Sequence, residues 1–114
     1  MNYEFPEELE FFEKGFGYSS EYDQDEGQFS FLMDYETGEK LIFTHSPFGN
    51  NSVSVKLFLG AELVFHISKE QVTNIAFQAW RGEQVLRIYL AEDFNDFLVY
   101  FNPKPRLKYC EPNM

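Results

Sequence analysis

Apolar residues follow two rhythms along the chain. Between Phe5 and Phe16 they recur at helical spacing. Phe5, Leu9, Phe12 and Phe16 are separated by four, three and four residues, which predicts one face of a helix over 5–15. Pro6 suits the first turn, and Glu7 and Glu8 lie near the positive end of the helix dipole. Gly15 is placed to end the helix in a left-handed cap. Phe11 falls off the stripe: it is either covered by Phe16 folding back past Gly15, where a Schellman contact would fall, or it is exposed.

No periodicity is visible from Gly17 to Gly27, a loop of Tyr, Ser and carboxylates. After it the rhythm becomes alternating. Phe29, Phe31, Met33 and Tyr35 alternate with Gln28, Ser30, Leu32 and Asp34. Glu36-Thr37-Gly38-Glu39 reads as a hairpin turn, after which Leu41, Phe43 and His45 share a face. Further strands are expected at Val53–Leu59, Leu63–Ile67, Thr73–Ala79, Val85–Leu90 and Phe97–Phe101. Ser68-Lys69-Glu70-Gln71 has the form of a capping box and predicts one helical turn. Asn102-Pro103-Lys104-Pro105 is expected to end regular structure.

The expected fold is mainly β: an antiparallel meander of about seven strands, bent as a half-barrel or folded as a small sandwich, with one N-terminal helix. The expected layout is a single domain over 1–114, with the helix at 5–15, the acidic loop at 17–27, the sheet at 28–102 and a loose tail at 103–114.

Charge sharpens this picture. The formal net charge is −10. Residues 1–39 hold twelve acids against one base, Lys14, and so carry −11, whereas residues 40–114 hold seven acids against eight bases and carry +1. A chain this acidic repels phosphate, which disfavours nucleic acid as a partner. Asymmetry of this kind points instead to a partner of opposite sign. Aromatic residues make up 19% of the chain, more than a small interior holds, and Tyr18, Tyr22 and Phe48 are the first candidates for the surface.

The start lacks the basic segment of a signal peptide, and no run of about 18 apolar residues exists to span a membrane. The single cysteine, Cys110, fits a reducing compartment, so a cytoplasmic location without membrane association is expected.

Catalytic and metal signatures are sparse. Only His45 and His66 titrate near neutrality, and their place in alternating strands reads as structural. Neither a His-x₃-His pair nor a second cysteine is present to build a zinc site. Asp23-Gln24-Asp25-Glu26-Gly27 has the opening of a calcium loop with Asp34 in twelfth place. Its glycine is fifth instead of sixth, however, and the following residues alternate as a strand. Phosphate-binding glycine loops and G-x-S-x-G are absent. A non-enzyme without metal or cofactor is expected.

The stretch Tyr18-Ser19-Ser20-Glu21-Tyr22-Asp23-Gln24-Asp25-Glu26 interleaves carboxylates, which steer a basic partner, with aromatic anchors. In size, acidity and layout the whole chain resembles the small immunity proteins of bacterial toxin systems, including contact-dependent growth inhibition. That resemblance implies stoichiometric blockade of a cognate toxin domain with a basic surface, often a nuclease. The expected partner-binding residues are Tyr18, Glu21, Tyr22, Asp23, Asp25 and Glu26. Glu92, Asp93 and Asp96 form a second cluster that would extend the acidic face. Two alternatives are a non-catalytic adaptor or oligomeric subunit that pairs through a sheet edge, and a small-ligand-binding β domain using His45, His66 or Arg87.

Overall fold

The computed structural model describes residues 5–91 and 96–110. The chain divides into two compact units, one spanning Glu7–Glu70 and the other built from Gln71 onward together with the residues before Glu7. Both are antiparallel sheets in which strands adjacent in sequence pair, without a closed barrel. The protein is thus mainly β with one short N-terminal helix.

The first unit holds helix α1 (Glu8–Glu13) and a sheet whose strands β1 (Gly17–Tyr18), β2 (Phe29–Asp34), β3 (Glu39–Ser46), β4 (Ser52–Leu59) and β5 (Glu62–Lys69) lie side by side in that order. Pairing sets Phe31 beside Phe43, Phe43 beside Val55, and Val55 beside Ile67. These residues, with Leu41, Val53 and Leu57, form one apolar face. The opposite face carries the alternate residues Ser30, Thr44, Ser54 and Ser68 in one cross-strand row.

Helix α1 is shorter than the spacing predicts, and its buried side is different. Glu7 is extended rather than helical, and its N–H donates to Glu10 Oε1 at 3.3 Å. Leu9 and Phe12 are 63% and 37% exposed, whereas Phe11 is 3% exposed. The Phe11 ring lies flat on Phe31, with centroids 4.0 Å apart and planes 4° apart. A Schellman motif closes the helix. The Phe16 N–H donates to Phe11 O, and the Gly15 N–H to Phe12 O. Gly15 sits at φ +102, as this reversal requires. Phe16 thereby returns edge-on to Phe11 at 5.6 Å. Of the two outcomes open for Phe11, covering by Phe16 is the one observed.

The second unit holds β6 (Val72–Trp80), β7 (Glu83–Leu90), β8 (Asp96–Asn102) and β9 (Arg106–Cys110). The central strands β7 and β8 bury residues on both faces. Leu86, Ile88, Phe97, Val99 and Phe101 line one, while Val85, Leu98 and Tyr100, joined by Trp80, line the other.

Three local expectations are corrected. Arg106–Cys110 is a strand paired with β8, not a loose tail. Pro103 and Pro105 occupy the connection before it and leave the ladder intact. Ser68 and Lys69 end β5, and Gln71 turns at φ +60 into β6, so no helical turn forms there. Tyr18 belongs to a two-residue strand, too short to show alternation.

Candidate partner-binding surface

The predicted acidic loop is built around three fixed points. At its start, Glu8 reaches from α1 to two tyrosines. The Tyr18 hydroxyl donates to Glu8 Oε2 at 2.9 Å, and the Tyr22 hydroxyl donates to Glu8 Oε1. The rings pack edge-on to each other at 4.4 Å, and Tyr18 also meets Phe12 at 5.0 Å. Donating to a carboxylate stabilises the neutral phenol, so the pKa values of both tyrosines are raised, that of Tyr22 strongly. Glu8→Gln is expected to bring both phenols back toward their ordinary value. Alkaline titration followed by tyrosinate absorbance checks this, and an unchanged titration would remove Glu8 from the cluster.

At the middle of the loop, Glu21 turns to the polar face of the sheet. Lys56 Nζ donates to its two carboxylate oxygens at 3.1 and 3.0 Å. The Glu21 N–H donates to Ser19 Oγ at 2.9 Å. Ser19 Oγ lies 2.5 Å from Ser30 Oγ, which in turn lies 2.8 Å from Thr44 Oγ1. This chain of hydroxyls is buried and ties the loop to β2 and β3.

At the far end, Asp23 and Gln28 exchange two backbone hydrogen bonds of 2.8 Å. Asp23 Oδ1 also accepts the Glu26 N–H at 3.2 Å. The four residues between Asp23 and Gln28 form a tight turn that leaves Asp23, Asp25 and Glu26 exposed. Gly27 is required here. It has φ +70, and a Cβ would stand 2.3 Å from the Phe48 ring. Phe48 therefore lies directly on the backbone of the acidic turn while remaining 73% exposed.

The predicted site residues thus separate. Asp23, Asp25 and Glu26 share the tip. Tyr18 and Tyr22 form an aromatic cluster beside α1, and Glu21 is engaged by Lys56. Asp96 belongs to the other unit, where Arg87 grips it at 2.6 and 3.0 Å. Glu92 and Asp93 lie outside the described residues. Phe48 was missing from the expected partner-binding residues. The sequence marked it as a surface aromatic in the turn cluster at 46–51, as its exposure bears out, but no pattern linked that turn to Gly27.

The histidines stand apart by register, His45 opposite Val53 on the apolar face and His66 opposite Lys56 on the polar face. The His45 ring is buried, and its Nε2–H donates to Asn51 Oδ1 at 2.9 Å. Burial lowers its pKa, with the Asn51 bond working in the other direction. The unfolded chain therefore takes up this proton first as pH falls. Stability from the neutral ring is complete above its ordinary value of 6.5 and is lost as pH falls from there to the lower folded value. Thermal unfolding is expected to lose more between about pH 7.5 and pH 5.5 in the wild type than in His45→Gln. Equal losses would mean that His45 does not contribute.

Among the described residues, no group of three or more His, Cys, Asp or Glu side chains is placed to hold a metal ion. No helix there is long and apolar enough to cross a membrane.

Comparison with solved structures finds the same fold. The protein superposes on a chain of the "Contact-dependent growth inhibition toxin - immunity protein complex from Klebsiella pneumoniae 342", with a TM-score of 0.76 and 15% identity. The match covers 95% of this chain and 96% of that one. The resemblance drawn from composition and layout is therefore met at the level of the fold. No protein-family model matches the sequence, and no curated protein matches it.

Proposed function

We propose that the protein is an immunity protein that binds and neutralises a cognate toxin domain with a basic surface. The observation that carries this reading is the end-to-end fold likeness to a chain of a toxin–immunity complex. Charge supports the inhibitor's role. The Glu7–Glu70 unit holds thirteen acids against four bases, and the part from Gln71 onward holds five of each. The acidity is thus concentrated on the unit that also presents Phe48 and Tyr18 to solvent.

The mechanism is occlusion. Asp23, Asp25 and Glu26 steer a basic face toward the tip of the loop. Phe48, seated on Gly27, supplies apolar contact next to those charges, and the exposed Tyr18 ring supplies it beside α1. For a nuclease toxin, such a complex denies nucleic acid its cationic groove. The proposed setting is the cytoplasm, and neither a cofactor nor a metal takes part.

The test is co-purification with the toxin domain encoded beside this gene, followed by association kinetics at rising ionic strength. A one-to-one complex whose association slows with salt is expected. Absence of a complex, or a complex formed at the same rate in low and high salt, would refute the reading.

A further inference from the structure

The second unit carries a cleft of the opposite sign. Its register places Trp80 beside Glu83, Tyr100 beside Arg106, and Leu98 beside Lys108, all on one face of the sheet. These side chains and Arg81, in the turn between β6 and β7, line an open cleft of about 470 Å³. The floor is aromatic and apolar. Trp80 meets Tyr100 edge-on at 6.3 Å and packs on Val85, Leu98 and Tyr100.

The cations of the cleft are arranged unequally. The Arg106 guanidinium lies over the Tyr100 ring at 3.5 Å and donates to Glu83 at 3.0 and 3.2 Å. It is held in place with one neutralising carboxylate. Arg81 and Lys108 have no such partner among the described residues. Among the described residues, three cations and one carboxylate give the lining +2, in a chain whose total is −10.

We infer that this cleft binds an extended acidic segment of a partner protein, with Arg81 and Lys108 taking its carboxylates above Trp80. Charge complementarity supports that occupant, since Arg81 and Lys108 are exposed cations of the lining that no carboxylate neutralises among the described residues. A nucleic acid fits less well, because the described lining offers two unneutralised cations, with Glu83 among them, to a continuous line of phosphates. The inference goes beyond the inhibitor reading, as it concerns the other unit and requires no toxin.

Trp80 is the only tryptophan, so its fluorescence reports this cleft alone. The full-length protein is titrated with a capped hexapeptide alternating glutamate and serine. The glutamine counterpart and an oligothymidylate serve as comparisons. Saturable change in emission is expected with the glutamate peptide, and none with the glutamine one. In the Arg81→Gln, Lys108→Gln double variant, affinity is expected to fall about fivefold or more, as loss of two exposed ion pairs implies. Both positions are exposed, so an unchanged melting temperature is expected to accompany that loss. A flat titration, equal affinity in the double variant, or tighter binding of oligothymidylate would each overturn the assignment.

Discussion

Replacing Phe11 with alanine is expected to destabilise the Glu7–Glu70 unit by about 3–5 kcal/mol, the usual cost of deleting a buried phenylalanine ring. Leu9→Ala, two residues away, is expected to change stability by no more than about 0.5 kcal/mol, since Leu9 is exposed. Phe11 is the contact that seats the helix. It stacks on Phe31, meets Phe16 edge-on and lies within 5.8 Å of Phe43. A six-residue helix has too few hydrogen bonds to persist without such an anchor. Losing it also releases Glu8, so the phenols of Tyr18 and Tyr22 are expected to titrate at lower pH in this variant. Urea denaturation of both variants checks the first effect. Equal losses would return the helix to the stripe that its spacing predicts.

The second large effect concerns the proposed toxin. Neutralising the tip, with Asp23→Asn, Asp25→Asn and Glu26→Gln together, is expected to slow association about tenfold or more at low salt. It should leave dissociation less affected, the usual pattern for charges at the edge of an interface. Phe48→Ala is expected to act on dissociation instead. An aromatic anchor at the centre of an interface is worth about 2 kcal/mol or more, so affinity should fall about thirtyfold. Neither change should reduce folding stability much, because these side chains are exposed. Surface plasmon resonance with the toxin domain separates the two rates. If both variants bind as the wild type does, the tip is not the interface.

The alternation from Gln28 to Phe101 carried most of the architecture. Period-two patterns at Gln28–Tyr35, Lys40–His45 and Val53–Leu59 match β2, β3 and β4 to within one residue at either end. What escaped the pattern has specific causes. The helix stripe failed because a sheet offered Phe11 a flat aromatic partner from distant sequence, which spacing alone does not reveal. β9 was hidden by two prolines that sit ahead of it, although Arg106, Leu107 and Lys108 already alternate. The acidic loop was visible as composition. Its division between a tip, a tyrosine cluster and an ion pair was not, because Glu8, Lys56 and Phe48 come from three other parts of the chain. The cationic cleft was masked by the same strand alternation that predicted the sheet. Cations and aromatics two residues apart read as an ordinary half-buried strand until pairing aligned Trp80, Tyr100 and Arg106.

The buried hydroxyl chain Ser19–Ser30–Thr44, with the Gln28 side chain donating to Glu21 O at 2.5 Å, bears on how quickly the loop can act. A glycine-flanked run of polar residues would ordinarily be an ensemble, and a partner would have to select or impose one shape at contact. Here the loop's base is fastened while the protein folds. The ordering entropy is settled before any encounter, and the tip is presented to the proposed toxin preorganised. Such a loop can be captured at a rate set by electrostatic steering and diffusion rather than by a folding step, which suits an inhibitor that must intercept a toxin before its first turnover.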